Sequence, residues 1–355
     1  MTATRLVART VRGIERVLAG EVRDRGLGTV EQLDHREVWF RCPDPGPGVL
    51  DLRCADDVFL VGTVVHGVGR ARSGLRLLAD AVKSVPVPEL LATRARCAGR
   101  PAGAVAVDVS ASFLGRRNFT RYDVEDAVGE PLATALGLPY HSRRAGVAPP
   151  ADTLAWRVTL TGDRALLALR IGRRPLHRRR YRRVSLPGAL HPPLAAAMVR
   201  LAGPFDGARL LDPCCGVGTV AVEAARSGTA LSIVAGDVNP AAVAAAAANG
   251  VGTAVAWTLA DAGRLPVASG SVDLVVTNPP WGRQVSPAGT LARRPPRFWT
   301  ELRRVLRPDG RAVLLVPDAA ALLAGAATHG LTPVARRAVS LSGAHPEVVT
   351  LEPVP

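Results

Sequence analysis

The sequence has little that would place it in a membrane, in a disulfide-rich fold or among zinc proteins. No apolar run reaches the length of a membrane-spanning helix, and arginines interrupt the N-terminal segment where a signal peptide would have its apolar core. The five cysteines, at 42, 54, 97, 214 and 215, are an odd number without metal-like spacing. We therefore expect a cytoplasmic protein with no membrane segment, no disulfide framework and no bound metal.

Lysine is almost absent, since Lys83 is the only one, yet the formal net charge is +15. The excess of basic over acidic residues lies mostly before residue 184. The choice of arginine over lysine fits either bidentate phosphate contacts or the codon bias of a GC-rich gene, and the sequence leaves that open. The regional excess of positive charge predicts salt-sensitive binding to a nucleic acid.

With 355 residues, of which 48% are hydrophobic, the chain is long enough for two or three packed domains. Strand-like and helix-like patterns alternate along it, which predicts an α/β protein. Within the N-terminal half, strands are predicted near 5–8, 29–33, 37–41, 104–109, 154–160 and 165–171, and helices over 14–22 and 123–136.

The most informative motif follows an apolar, strand-like run that ends at Thr277, and it consists of Asn278, Pro279, Pro280 and Trp281. An exocyclic amine on a base becomes nucleophilic when its hydrogens point at acceptors, and the Asn278 side-chain oxygen and the Pro279 carbonyl are such acceptors. An aromatic ring such as the indole of Trp281 can stack on an unstacked base. These four residues are the predicted catalytic group.

A glycine turn between a strand and a helix lies upstream of this motif. Its residues include Asp212, Pro213, Cys214, Gly216, Gly218 and Thr219. Glycines allow a ligand to approach the backbone closely, although a single Gly-x-Gly turn is equally common as a plain strand-to-helix corner.

Acidic residues follow the next two predicted strands, and they strengthen the interpretation of the turn as a nucleotide site. Asp237 and Val238 come about 20 residues after the turn, where a carboxylate can bind a ribose diol. Asp261 and Ala262 follow the third strand, where the carboxylate can accept a hydrogen bond from an adenine amine or can simply be solvated in a loop. The ends at 212, 237, 261 and 278 should meet at one edge of a parallel sheet.

The order of these motifs resembles the class I methyltransferases that use S-adenosylmethionine and modify amino groups of bases. The resemblance implies a Rossmann-like catalytic domain with S-adenosylmethionine as cofactor. Its predicted contacts are Asp212, Pro213, Cys214, Gly216, Gly218, Thr219, Asp237, Val238, Asp261, Ala262 and Asn278. Trp281 departs from the tyrosine or phenylalanine that is common at its position.

Upstream residues resemble the THUMP domain, an RNA-binding module. The matching pieces include Val107 to Ser110, Arg117 to Phe119, the helix from Val124 to Leu136, and the strand pair that ends at Gly172. This block and the connector after it resemble tRNA guanine-N2 methyltransferases, over about residues 100–318. The family likeness implies an enzyme that forms N2-methylguanosine in the tRNA acceptor stem, at position 6, and we expect it to be a monomer.

The predicted domains are a ferredoxin-like domain over 1–65, a THUMP-like domain over 66–172, an arginine-rich linker over 173–193 and the catalytic domain over 194–355. The linker holds a dense basic run, which is either a solvated segment or one that grips the RNA backbone. The residues predicted to bind RNA are Arg117, Arg174, Arg178, Arg179, Arg180, Tyr181 and Arg182.

Three other functions remain open at this stage. The same Asn-Pro-Pro-aromatic chemistry occurs in ribosomal-RNA guanine-N2 and in DNA adenine-N6 methyltransferases, although the THUMP-like block favours RNA. A non-catalytic RNA-binding protein with a decayed methyltransferase fold is the third. The retention of Asp212, Gly216, Gly218, Asp237 and Asn278 together argues against decay.

Overall fold

The computed structural model describes residues 3–99, 103–203, 206–282, 285–341 and 343–354. The chain forms two compact units. The N-terminal unit comprises Met1–Arg9, Val22–Leu52 and Asp57–Leu176, and the C-terminal unit comprises Thr10–Glu21, Arg53–Asp56 and His177–Pro355. Two short N-terminal segments therefore cluster with the C-terminal unit, which local sequence patterns did not indicate.

The N-terminal unit is built on one mixed eight-stranded sheet with the order β2-β3-β1-β4-β8-β7-β5-β6. The strands are β1 (Thr4–Arg9), β2 (Thr29–Asp34), β3 (Glu37–Cys42), β4 (Asp57–Val65), β5 (Val107–Phe113), β6 (Tyr140–His141), β7 (Leu154–Thr161) and β8 (Arg164–Arg170). Because β4 pairs with β8, the stretches 1–65 and 66–172 share this sheet. Their division into ferredoxin-like and THUMP-like domains stays a prediction.

Helices α2 (Gly74–Ala81), α3 (Val87–Ala98) and α4 (Arg121–Leu136) lie in this unit, whereas α1 (Glu15–Asp24) lies mostly in the segment Thr10–Glu21 that clusters with the C-terminal unit. Helix α4 begins with a capping box between Thr120 and Asp123, and it ends at Gly137 in the left-handed conformation. The predicted helices near 14–22 and 123–136 are confirmed, whereas α2 and α3 were not predicted.

The C-terminal unit contains a seven-stranded sheet with the order β11-β10-β9-β12-β13-β15-β14. The strands are β9 (Arg209–Asp212), β10 (Ser232–Asp237), β11 (Val255–Leu259), β12 (Val272–Thr277), β13 (Leu306–Val316), β14 (Leu331–Ala338) and β15 (Glu347–Pro353). The first five in space are parallel, and β15 is antiparallel to both of its neighbours. This is the Rossmann-like α/β fold that the motifs predicted, with an added antiparallel pair that they did not.

Besides most of α1, this unit contains the helices α5 (Pro192–Ala202), α6 (Thr219–Ala225), α7 (Pro240–Asn249), α8 (Gly289–Arg293), α9 (Arg297–Val305) and α10 (Ala319–Ala327). The alanine-rich α7 starts at Pro240, and the Asn239 side chain caps it by accepting a hydrogen bond from Ala241 N. Strand order reverses between β9 and β12, and ligands of such sheets bind at the carboxyl ends beside that point.

Candidate active site

The carboxyl ends of β9, β10, β11 and β12 bring the predicted site residues to one edge of the parallel sheet. Asp212 ends β9, Asp237 ends β10, Asp261 lies two residues beyond β11, and Asn278 directly follows β12. The parallel register makes these ends neighbours, as the sequence pattern predicted. The edge therefore carries three carboxylates and one amide.

The glycine turn is held tightly against the end of β10. Cys215 N donates to Gly236 O at 2.8 Å, Gly218 N donates to Cys215 O at 2.8 Å, and Gly216 N donates to Asp237 Oδ2 at 2.9 Å. Both glycines need positive φ, +52° at Gly216 and +79° at Gly218. A Cβ at Gly216 would meet nothing within 4 Å, whereas one at Gly218 would lie 2.7 Å from the Trp257 ring.

Asp237 has a structural task in addition to its predicted ribose contact. Its Oδ2 accepts from Gly216 N, and its Oδ1 accepts from Asn239 N at 2.9 Å. A carboxylate has about four acceptor positions, so two such bonds leave capacity for a diol. The ribose role of Asp237 stays a prediction.

Asp212 is almost fully buried, and Cys214 N donates to its carboxylate at 3.3 Å. The pKa of Asp212 is raised to about 7, mainly by burial and to a smaller extent by the charge of Asp237, against the lowering effects of the Thr277 hydroxyl and of Cys214 N. The Cys214 thiol lies in the field of Asp212, Asp237 and Asp261, and burial raises its pKa well above the usual range. Three carboxylates therefore act on the same small region beside Cys214, which suits a cationic ligand group.

Asp261 is held by backbone groups on two sides. Its Oδ1 accepts from Gly263 N at 2.8 Å and its Oδ2 from Thr290 N at 2.7 Å. These hydrogen bonds act against burial, and the pKa of the carboxyl is lowered. Gly289 packs close to both Asp261 and Val238, since a Cβ there would lie 2.5 Å from Asp261 Oδ2 and 3.1 Å from Val238 Cγ2. The first residues of α8 thus flank the predicted adenine end.

Asn278 and Trp281 differ in how they are held. Asn278 is partly exposed, and within the described residues no hydrogen bond engages its side-chain amide. The Trp281 indole donates from Nε1 to Leu315 O at 2.8 Å. Its ring stacks on Trp299 with centroids 6.0 Å apart and meets Phe298 edge-on at 5.9 Å. The indole is therefore built into the aromatic core, so that only part of its surface remains for a base.

Three residues predicted to bind RNA have hydrogen-bond partners inside the C-terminal unit, and their contact with RNA stays a prediction. The buried carboxylate of Glu223 accepts from Arg179 Nε at 3.0 Å and from the Tyr181 hydroxyl at 2.7 Å. Arg182 Nη2 donates to Thr219 Oγ1 at 2.7 Å. A basic run predicts positive charge, but it does not show which side chains turn inward. Arg174, Arg178 and Arg180 are exposed.

Arg117 also has a structural task, in the N-terminal unit. Its guanidinium donates to the carbonyls of Gly69 and Gly162 and lies over the rings of Phe113 and Phe119. Burial lowers its pKa, and Arg70 adds to that effect. These bonds shape a pocket of about 220 Å³. Its lining residues are Gly69, Arg70, Leu114, Arg116, Arg117, Gly162 and Asp163.

Metal and membrane sites have no support in the part of the chain that the structure describes. There, no three His, Cys, Asp or Glu side chains come together as metal ligands. None of the helices seen there combines the length and apolar character needed to span a bilayer.

Residues 179–347 match the family model described as "RMKL-like, methyltransferase domain". The chain is 32% identical over 361 aligned positions to the tRNA (guanine(6)-N2)-methyltransferase of Thermus thermophilus, with 98% of this chain and 99% of that protein covered. This chain belongs to the same methyltransferase family. It also matches the crystal structure of TrmN from Thermus thermophilus, with a TM-score of 0.78 and 31% identity over 99% of each chain.

Two further comparisons concern a relative that matches only part of the methyltransferase and a structure that shares its fold. The tRNA (guanine(6)-N(2))-methyltransferase THUMP3 of Bos taurus is 30% identical over 194 residues, which are 47% of this chain and 38% of that protein. The structure of SMU.472 with SAH matches at a TM-score of 0.70 and 15% identity, over 100% of this chain and 99% of that one. At this identity the second similarity shows the fold alone.

Sequence reasoning missed three residues that hold this methyltransferase site together. Buried Glu223 on α6 gathers Arg53, Arg179 and Tyr181, and buried Asn249 on α7 bonds to the backbone of residues 183, 184 and 217. Fully buried Thr277 faces Asp212 from the end of β12. For Glu223, the sequence signal was a glutamate inside an otherwise apolar helix. Its partner Arg53 could not be predicted from local patterns, because the two residues are 170 positions apart.

Proposed function

We propose that the enzyme transfers a methyl group from S-adenosylmethionine to the N2 amine of a guanosine in the tRNA acceptor stem, at position 6. The observation that carries this proposal is the Asn278 amide, which has no protein partner in the described residues and follows β12, the strand that pairs with β9 before the glycine turn. The name of the full-length relative from Thermus thermophilus supports the choice of tRNA and of guanine.

The cofactor fits the residues at the sheet edge. Gly216 leaves open space beside the turn, and the edge holds carboxylates that suit a cationic ligand. We assign the methionine end to Asp212, Pro213, Cys214, Gly216, Gly218 and Thr219, the ribose to Asp237, and the adenine to Val238, Asp261 and Ala262. When bound, the sulfonium supplies an activated methyl group. SMU.472, which shares the fold, was solved with SAH.

The acceptor side fits an aromatic amine. The two N–H groups of the base amine would donate to the Asn278 oxygen and to the carbonyl of Pro279, which directs the nitrogen lone pair towards the methyl group. Because the chemistry needs mainly alignment of donor and acceptor, no metal and little acid–base catalysis are required. Pro280 and the exposed part of Trp281 would form the wall against which the base rests.

For RNA contacts we propose the exposed arginines Arg174, Arg178 and Arg180, together with Arg70 and Arg116 at the pocket of the N-terminal unit. Guanidinium groups suit phosphate oxygens. We also propose that residues 1–65 and 66–172 correspond to ferredoxin-like and THUMP-like domains, and that the enzyme acts as a cytoplasmic monomer. Arg117 would shape the RNA-binding pocket without carrying the phosphate contact itself.

The deciding experiment is mass spectrometry of nucleosides from the tRNA of a deletion strain. Loss of N2-methylguanosine from an acceptor stem is the expected result. In vitro, a transcript in which the guanosine at position 6 is replaced by adenosine should accept no methyl group. Loss of methylation from ribosomal RNA or DNA instead would identify one of the alternative substrates, and methyl incorporation into adenine would refute the base assignment.

A second experiment tests the RNA pocket in the full-length protein. Arg70→Ser and Arg116→Ser together should weaken tRNA binding and reduce the salt slope by about one for each phosphate that is no longer bound. Binding of S-adenosylhomocysteine (SAH) should not change. Arg76→Ser, which alters an exposed arginine on α2 that does not line the pocket, is the matched control. An equal fall in affinity in the control would show that only net charge matters.

A further inference from the structure

Arg182 lies against the cofactor turn with part of its guanidinium unused. Its Nη2 donates to Thr219 Oγ1 at 2.7 Å and to Leu190 O at 2.5 Å. Its Nε is buried and has no hydrogen-bond partner. Both hydrogen bonds therefore come from one nitrogen, and a buried donor remains unsatisfied in a group that has five.

No carboxylate in the described residues forms an ion pair with Arg182. The acidic residue whose charge acts on it, Glu223, is occupied by Arg53, Arg179 and Tyr181. The neighbouring Arg179 adds a second positive charge, and burial lowers the pKa of Arg182. A half-buried cation that is hydrogen-bonded only to neutral oxygens loses part of its hydration without an ion-pair partner to offset that loss. A ligand anion would supply the missing charge.

The position of Arg182 indicates which anion that is. Thr219, its hydrogen-bond partner, directly follows Gly218 and so stands at one end of the cofactor turn. At the other end, Asp212 is a buried carboxylate. The amino-acid part of S-adenosylmethionine has an ammonium and a carboxylate on one carbon. The turn thus has an acidic residue at one end and a cation beside the other, which complements that pair of charges.

We propose that Arg182 binds the α-carboxylate of S-adenosylmethionine and of S-adenosylhomocysteine, while Asp212 receives the ammonium. This inference rests on the proposed cofactor. It makes the basic segment that precedes α5 part of the cofactor site, and it gives Arg182 a ligand-binding role in place of the predicted RNA contact. The competing account is that Arg182 only holds Thr219 and Leu190 in place.

The experiment compares two ligands on two proteins by calorimetry, without RNA or turnover. One ligand is S-adenosylhomocysteine, and the other is its decarboxylated analogue, S-adenosyl-3-thiopropylamine. Wild type should prefer the carboxylate-bearing ligand by about 10- to 100-fold, as expected for a charge-assisted hydrogen bond. Arg182→Gln should lower affinity for S-adenosylhomocysteine by a similar factor and leave the analogue almost unaffected, so that the preference disappears.

Arg183→Gln is the matched control, because Arg183 is the exposed neighbour whose backbone, and not its side chain, is bonded to Asn249. It should bind both ligands as wild type does. If Arg182→Gln weakens both ligands equally, the residue only positions the turn and the inference is wrong. The inference is equally wrong if Arg182→Gln leaves both affinities unchanged.

Should Arg182→Gln fail to fold, Arg182→Lys replaces it. Lysine keeps the charge without the planar fork, so the preference for the carboxylate should shrink but remain. An undiminished preference in that variant would overturn the inference. If wild type binds neither ligand, the proposed cofactor fails together with the inference. If wild type binds both ligands equally, only the inference about the carboxylate fails.

Discussion

The glycine turn and the acceptor motif lie at the same sheet edge, but the protein uses their polar groups differently. In the turn, backbone donors and the Asp237 carboxylate are already hydrogen-bonded to each other. In the acceptor motif, Trp281 is fixed to Leu315 O, whereas the adjacent Asn278 amide has no partner among the described residues. The polar groups of the turn thus hydrogen-bond within the protein, whereas the Asn278 amide is available to a substrate.

This difference separates stability from chemistry. Substitutions in the turn should affect folding and cofactor binding together, because the same atoms serve both. A substitution at Asn278 should affect the reaction alone. Four predictions test that separation, beginning with the largest effect.

Asn278→Ala should lower the methylation rate by about 100- to 1000-fold, the range found when one oriented polar group is removed from an active site. Binding of SAH and the free energy of unfolding should change little, since the substitution removes no protein hydrogen bond. Rates with tRNA, calorimetry with SAH and urea unfolding measure the three quantities. Asn278→Asp retains an acceptor oxygen and should keep part of the activity.

A clear loss of stability in Asn278→Ala would show that Asn278 only fixes the end of β12. An unchanged methylation rate would remove it from the catalytic group.

Asp237→Ala should weaken SAH binding by about 10- to 100-fold, which corresponds to the loss of a charged acceptor. Unlike the Asn278 substitution, it should also lower the free energy of unfolding, because Gly216 N and Asn239 N lose their acceptor. Asp237→Asn keeps one acceptor oxygen, so its SAH affinity and its free energy of unfolding should lie between those of wild type and of Asp237→Ala. An unchanged dissociation constant would refute the ribose assignment, and unchanged stability would contradict the structural task.

Local patterns were sufficient to predict this edge. Asp212, Asp237, Asp261 and Asn278 each follow an apolar run, and parallel strands place their carboxyl ends together. The same reasoning did not predict which side chains of the basic run are bonded internally: Arg179 and Tyr181 turn inward to Glu223, while Arg178 and Arg180 face solvent. Spacing along a chain without regular secondary structure gives no period from which to predict the buried side.

The partners of buried polar groups were equally beyond local patterns. Arg53 and Glu223 are separated by 170 residues, and only the folded chain brings them together. One practical consequence concerns truncation: residues 184–355 would lack Thr10–Glu21, Arg53–Asp56 and Tyr181, all of which belong to the C-terminal unit. Full-length variants are therefore the appropriate test of RNA binding.

The pH dependence of cofactor binding offers a test of Asp212. Burial raises the pKa of Asp212 to about 7, so the folded, ligand-free protein favours the protonated acid. The stability that this proton contributes is fully present below pH about 4, and it is lost as the pH rises through 7. An ammonium ligand needs the ionised form. Affinity for SAH should therefore rise about tenfold between pH 6 and pH 8.

Asp212→Asn cannot ionise, so it should bind SAH more weakly at pH 8 and show almost no dependence on pH in this range. The same dependence in wild type and variant would assign the titration to another group.

Trp281→Phe should have the smallest effect, and it tests whether the hydrogen bond that holds Trp281 matters for the reaction. Phenylalanine keeps a ring for the contacts with Phe298 and Trp299 but loses the hydrogen bond to Leu315 O. We expect the free energy of unfolding to fall by about 1 kcal/mol and the methylation rate to change by less than about tenfold. Trp299→Phe is the matched control, because its indole N–H makes no hydrogen bond within the described residues. If Trp281→Phe lost as much activity as Asn278→Ala at unchanged stability, the indole N–H would act on the substrate. Trp281 would then not be a purely structural residue, and the contrast with Asn278 would be wrong.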